Sequence, residues 1–490
     1  MDNIRSLSYF IPELFLSSAI LVIIVIDLIL KKKKRNYTAH LSVAALVVAV
    51  ILAFQQYGLQ PAATFFGMMV LDTMAVFIKI VTAVATIIII FFSLPDQRLK
   101  SEYYILLLVT VVGMFVMAGV NDILMIILSM ELVGLVSYVL SGFNKDDLKS
   151  NEAALKYVIY AAASTGVMAF GFSYLYGMTA ATNLATIQES LLNNPPAAAS
   201  LFITFILILG GLGYKIAMAP FHFWLPDVYE GAPTPITAFF SVAPKAAGIA
   251  VLIRFMTTVV AHPVSAYQVE FMQNLQIHAP LLIAILSGLT MTIGNLSALQ
   301  QKNIKRMMAY SSIAHAGYIL MAFVVFNAQG YEAILFYLVV YLFMNLGAFS
   351  VIYKMTPVLG SEEIEAYKGL GYRDPFSSVS LAVFLFSLTG LPPLAGFIGK
   401  FYLFAAVVNA QWYWLAVLGV LNSVVSLYYY AYVVRTMFLQ RSEAKDTIKL
   451  PLYDRILLAV LVIPTLVFGV YWTPILNFTS RSLGMLTTIK

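Results

Sequence analysis

The chain contains no cysteine in its 490 residues. Disulfides, cysteine-ligated iron–sulfur clusters and thiolate zinc sites are therefore excluded, and the redox compartment leaves no mark on the sequence. Any electron transfer has to run on another chain. Charge is scarce as well, at 11% Asp, Glu, Lys and Arg against about 25% in soluble domains. No glycine-rich phosphate loop, catalytic triad or metal-ligand cluster stands out, so the readings left open are those of membrane transport and membrane scaffolding. What fills the chain is apolar: 61% of the residues are hydrophobic, which makes the lipid bilayer its solvent. The net charge of +6 is not read as a nucleic-acid partner, because the basic residues lie mostly in short loops between apolar runs, where they act as topology signals.

Apolar stretches of about 20 residues place spans near 9–30, 40–57, 70–93, 103–119, 121–142, 153–178, 200–222, 234–258, 279–298, 303–326, 331–355, 376–409, 412–434 and 454–474. The first run is too long for a signal-peptide core and is followed by Lys31–Arg35, so it is expected to stay as the first span. The fold class is thus an all-α integral membrane protein with about fourteen transmembrane helices. Twenty-one of the 29 Lys and Arg fall in loops after odd-numbered spans, from Lys31–Arg35 to Arg455, and none in loops after even-numbered spans. That asymmetry predicts an orientation with both termini on the outer side of the membrane.

The run from Pro375 to Asn409 would be roughly 50 Å long as one straight helix, against a bilayer core of roughly 30 Å. It must be broken, and Gly390-Leu-Pro-Pro-Leu-Ala-Gly396 is the place where donors are missing and the backbone is loosest. The seventh span carries a similar interruption in Gly210-Gly-Leu-Gly213 and Pro220, with Lys215 between. The broken spans 7 and 12 are five apart, and an odd offset inverts the second unit, so spans four to eight and nine to thirteen are candidate inverted five-helix repeats. The division predicted is a three-helix segment over 1–102, repeats over 103–258 and 279–434, and a last span with its tail over 435–490.

An ionisable residue at membrane depth costs at least roughly 2.5–3.5 kcal/mol, so each one is a functional candidate. Glu131 sits near the midplane of span five, and Lys245 is similarly deep in span eight. Lys215 and Lys400 adjoin the two breaks, where unwound backbone can line a hydrated cavity. The bland reading of each is a static ion pair that pins helices together. Lysine suits an ion path because burial disfavours its charged form and an approaching carboxylate restores it. His315 lies well inside span ten among hydroxyls, a composition that fits a proton wire, while His222 reads as interfacial. Asp72 and Lys79 are expected to pair along one face of span three, Arg254 to snorkel from the outer end of span eight, and Glu13 to sit at an interface.

Two stretches then become familiar: residues 214–235 (YKIAMAPFHFWLPDVYEGAPTP) and 303–318 (NIKRMMAYSSIAHAGY). Both closely resemble signatures of the antiporter-like membrane subunits of respiratory complex I. Within that family, 150–157 (SNEAALKY) and 390–402 (GLPPLAGFIGKFY) look most like the subunit N branch of the bacterial NADH–quinone oxidoreductases. The resemblance covers nearly the whole chain. It implies that Glu131 matches the fifth-helix glutamate, Lys215 the seventh-helix lysine paired with it, Lys245 the connecting lysine of helix eight and Lys400 the helix-twelve lysine near the exit. Lys305 and His315 match secondary polar positions on the proton path of helix ten. The implied activity is proton translocation, as part of a NADH:quinone oxidoreductase, along a central polar axis. No cofactor is expected on this chain. NADH, FMN, iron–sulfur clusters and quinone would sit on partner subunits of the membrane and redox arms.

The nearest rival is a subunit of a multi-chain sodium/proton antiporter or membrane-bound hydrogenase built on the same module. A stand-alone transporter for an organic solute would show a substrate-shaped set of polar and aromatic groups, whereas the buried set here is mostly Lys and Glu. A passive scaffold would leave the lysines beside two broken helices unexplained.

Overall fold

A computed structural model of the chain describes residues 3–30, 36–96, 99–260, 269–441 and 446–483, and nearly all of it is helix. Lys31–Arg35, Arg98, Lys445 and Lys490, which entered the charge count, lie outside the described residues. Among the described residues twelve helices are long and apolar enough to cross a membrane. Two further apolar half-helices, Pro375–Thr389 and Ala395–Asn409, make up the broken twelfth span. The helix Ile304–Phe323 falls in the place of span ten. It is long enough to cross but less apolar than its neighbours, because its faces carry Lys305, Arg306, Ser311, Ser312 and His315 into the protein rather than into lipid.

Burial sorts the spans into inner and outer layers. Thr234–Val260 is buried over its whole apolar window and Ala328–Leu359 over 89% of it, whereas Ile11–Ile29 and Leu148–Thr179 are buried over only 28%. Spans 8 and 11 are therefore the core, and the outer helices turn Leu, Ile and Val to the membrane, where apolar side chains need no protein partner. A feature without a sequence signal is a two-stranded hairpin, Ala62–Thr64 with Met69–Leu71, lying between spans 2 and 3.

The two breaks are local and similar. Span 7, Ala198–Ile216, ends at Ala217 in the left-handed region (φ 63°), and a short helix Trp224–Gly231 follows. The first half of span 12 ends at Gly390 (φ 91°). In both, the amide one residue past the left-handed residue donates back four residues before it: Met218 N to Gly213 O at 2.8 Å, and Leu391 N to Phe386 O at 3.1 Å. The break in span 7 corrects the expectation from the glycine run, since residues 210–213 stay helical. Those glycines serve close packing instead: a Cβ on Gly211 would lie 2.4 Å from Met168 Cβ, and one on Gly213 2.4 Å from Met218 Cε.

Candidate proton path along the buried lysines

Three lysines and a histidine lie in a row through the core, each supplied by a different span. Lys215 is the penultimate residue of Ala198–Ile216, just before the chain unwinds. Its stem packs on span 8 at Gly248, where an added Cβ would sit 3.2 Å from Lys215 Cγ. Lys245 lies three residues before Gly248, on the same helical face, so the two lysines share one side of span 8. Glu131, at the middle of Ile123–Ser141, is within electrostatic reach of Lys215. It forms no ion pair within 4.0 Å among the described residues. Glu131 is half-buried, and with no ion pair within 4.0 Å among the described residues the Glu131–Lys215 pair is open.

From Lys245 the polar contacts continue into span 10. Its Nζ donates to Ser312 O at 2.9 Å and Ser312 Oγ at 2.6 Å, and the Tyr341 hydroxyl donates to the same Oγ at 3.0 Å. A pocket of about 10 Å³ beside Lys245, Ser312, His315 and Tyr341 is near the threshold for one water. One turn on, His315 Nδ1 hydrogen-bonds the Tyr337 hydroxyl at 2.6 Å, and its Nε2 lies 3.4 Å from the Tyr430 hydroxyl, which also bonds Ser311 Oγ. His315 is within electrostatic reach of both Lys245 and Lys400. The histidine thus stands between two lysines, with hydroxyls on both ring nitrogens.

Lys400 closes the row at the break of span 12. Its Nζ donates to the unwound carbonyl of Thr389 at 2.8 Å and to Ser423 Oγ at 2.9 Å, and it lies 4.3 Å from the centre of the Tyr318 ring, a cation–π contact. Gly390 makes this possible twice over. Its positive φ ends the helix, and a Cβ there would lie 2.9 Å from Lys400 Cδ. The partners of Lys245 and Lys400 are neutral throughout: carbonyls, hydroxyls and a ring face.

Other predicted residues sit elsewhere. Lys305 belongs to the basic-face end of span 10, where its Nζ donates to the carbonyls of Glu230 (2.8 Å) and Ala232 (3.1 Å) and pairs with Glu362 at 3.1 Å. Around it Arg306 bridges Asp227 (2.6 Å) and Glu230 (2.9 Å), Lys156 pairs with Asp227 (2.6 Å) and Lys149 with Glu230 (2.9 Å). Burial pushes the Asp227 and Glu230 carboxyls up, but these cations outweigh it and hold both below the usual carboxylate range. The cluster clasps the short helix after the first break to spans 6 and 10.

Four sequence expectations are corrected. Arg254 does not snorkel. It is buried and grips Asp72 with both terminal nitrogens, at 2.9 and 2.7 Å. Lys79 pairs with Glu13 at 2.5 Å rather than with Asp72, and Glu13 is fully buried rather than interfacial. His222 is likewise buried, not interfacial, in the loop after the first break. The tyrosines Tyr337, Tyr341 and Tyr430 that join the row were not singled out from the sequence. A hydroxyl-bearing ring inside an apolar span was the available signal.

A family model described as "NADH:quinone oxidoreductase/Mrp antiporter, TM" matches residues 120–426, the stretch that holds Glu131, all three central lysines and His315. The chain is 43% identical over 493 residues to NADH-quinone oxidoreductase subunit N 2 of Chloroherpeton thalassium, covering 98% of this chain and 95% of that one. It is 45% identical to NADH-quinone oxidoreductase subunit N 2 of Sorangium cellulosum, covering 99% of each. A chain in the structure of respiratory complex I from Thermus thermophilus superposes with a TM-score of 0.80 at 30% identity, over 95% of this chain and 98% of that one. On sequence over its full length and on fold, this chain belongs to the NADH:quinone oxidoreductase/Mrp antiporter family of membrane subunits.

Proposed function

We propose that this chain is a membrane-arm subunit of a NADH–quinone oxidoreductase and translocates protons across the bacterial inner membrane, driven by electron transfer from NADH to quinone on partner subunits. The observation that carries the reading is the row from Glu131 and Lys215 through Lys245, Ser312 and His315 to Lys400. Lys245 and Lys400 are held by neutral groups alone, so gaining or losing a proton there breaks no ion pair. When the open Glu131–Lys215 pair closes, the carboxylate favours the charged lysine; when it opens, burial favours release. Repeating that exchange along the row moves a proton from one broken helix to the other. Glu131, half-buried at mid-depth, calls for a protein neighbour to cover it, in keeping with a multi-subunit arm. Lys305 we assign to the basic-face clasp, at the margin of the path.

The relatives that match over full length carry the name of the oxidoreductase subunit, which favours this reading over a multi-chain antiporter. FMN, iron–sulfur clusters and quinone are assigned to partners, in line with the absence of cysteine here. We read 103–258 and 279–434 as inverted repeats. The support is a shared bond pattern at the starts of spans 5 and 10. Ile123 N donates to Thr182 O and Leu184 N to Asn121 O; Ile304 N donates to Glu362 O and Ile364 N to Lys302 O. The first pair is on the face of Arg254 and Asp72, and the second is on the face of the clasp.

Lys215→Met in the assembled complex is expected to lower NADH-driven proton pumping by tenfold or more, about 1.4 kcal/mol of barrier or beyond. Assembled complex with wild-type pumping would sink the path. For orientation, a cysteine at Asn193 should react with an impermeant reagent outside intact cells and one at Lys449 should not; the reverse would invert the topology.

A further inference from the structure

The row described above has an end that is not used. Span 8 runs on from Lys245 through residues 246–253, all apolar and buried, to Arg254, roughly 13 Å away along the helix. Arg254 is one of the most firmly held side chains in the protein. Nη1 and Nη2 bind the two oxygens of Asp72 at 2.9 and 2.7 Å, and Nε donates to Ala118 O at 2.8 Å. Asp72 caps span 3, Thr73–Ser93, accepting from Ala75 N at 2.8 Å. Ala118 is the last residue of span 4, Ser101–Ala118, whose C-terminal carbonyls favour a cation. One guanidinium therefore ties the ends of spans 3, 4 and 8 together. The hairpin Ala62–Thr64/Met69–Leu71 lies at this same end, with Val70 N bonded to Gly119 O at 2.7 Å.

We infer that the Arg254–Asp72 pair is a proton seal: it closes this end of span 8, so that a proton on Lys245 leaves sideways toward His315 instead of along the helix. Two barriers act in series. The apolar stretch 246–253 offers a proton no hydrogen-bonding side chain. Beyond it the mouth is filled by a guanidinium, a group with no acceptor for a proton, locked to Asp72 and to the Ala118 carbonyl. A bidentate grip suits the task better than a lysine would, because it sets the position of the charge as well as its sign. The second buried pair of the same N-terminal segment, Glu13–Lys79, ties span 1 to span 3 and is no part of the Arg254 grip.

The inference rests on Lys245 being in the proton path, and it is tested with the redox reaction off, so that it stands or falls apart from pumping by Lys215. Purified whole complex is reconstituted in liposomes without NADH, and the decay of an imposed pH gradient is followed with a fluorescent dye. Arg254→Gln is expected to speed the decay by about tenfold, corresponding to about 1.4 kcal/mol of lost barrier. Arg254→Lys, which keeps the charge but not the fork, is expected to give a smaller increase. The double variant Glu13→Leu/Lys79→Met should leak like wild type. Assembled Arg254→Gln complex with wild-type decay overturns the seal. Should that variant fail to assemble, Arg254→Lys decides: wild-type decay there overturns it equally.

Discussion

Two sets of buried cations run through this molecule, and they differ in what faces them. Lys79, Arg254 and Lys305 each meet a carboxylate: Glu13, Asp72 and Glu362. The other set, Lys245 and Lys400, meets only hydroxyls and carbonyls, and Lys215 faces a carboxylate across an open gap. The cost of stripping water from the charge is similar in both sets, but only the first offsets it with an opposite charge. A paired cation stays charged and holds helices in register, since breaking a buried pair costs about 3–5 kcal/mol. An unpaired one can be neutral or charged at comparable cost, which is what a carrier of protons needs. On the proposed path, the difference separates pinning cations from carriers more sharply than burial does, because both sets are similarly buried.

The strongest way to break this comparison is to convert one set into the other. Ser312→Asp places a carboxylate where Lys245 now finds a hydroxyl. It is expected to fix the lysine charged and cut NADH-driven pumping at least about tenfold, about 1.4 kcal/mol, in complex that still assembles. Unchanged pumping, measured in vesicles, would show that neutral partners are not the distinguishing feature. Next in size is the opposite operation on the paired set. Glu13→Gln alone strands Lys79 and should destabilise the subunit by about 3–5 kcal/mol, whereas Glu13→Leu/Lys79→Met should come close to wild type. Thermal loss of the assembled complex on native gels reads both, and equal losses would refute a purely structural pair.

The smallest effect belongs to the clasp. Folded Asp227 and Glu230 hold protons less readily than they do unfolded, so their stabilisation is complete above about pH 4, the ordinary carboxylate value. It is lost as pH falls through their lower folded values. Asp227→Asn should remove less than about 1 kcal/mol at neutral pH, since the pairs are half exposed, and should flatten the acid limb of a stability profile. A profile as steep as that of wild type would show that the clasp does not carry the acid sensitivity.

Much of this was readable in advance. Spans were legible because lipid forces every backbone group to bond within its own helix, so length and hydropathy suffice. Glu131, Lys215, Lys245 and Lys400 stand out in the sequence as candidates because charge at membrane depth is rare and expensive. The break at Gly390 was visible because glycine and proline remove helix constraints locally. The break after Lys215 was misplaced by several residues, since glycines that loosen a helix and glycines that admit a neighbouring Met look alike in one dimension.

Pairing was not legible. Asp72 and Lys79 are two turns apart on one helix, the separation that suggests a pair, yet Asp72 binds Arg254 from 182 residues away and Lys79 binds Glu13. The sequence by itself determined that this chain lives in a bilayer, where its helices lie and which buried charges are too costly to be accidental, because those follow from local composition and transfer energy. Which cation meets a carboxylate and which meets only hydroxyls was decided by the tertiary structure alone. That depends on distances of a few ångströms between helices remote in sequence, and the Coulomb term that distinguishes a pin from a carrier varies steeply over those distances.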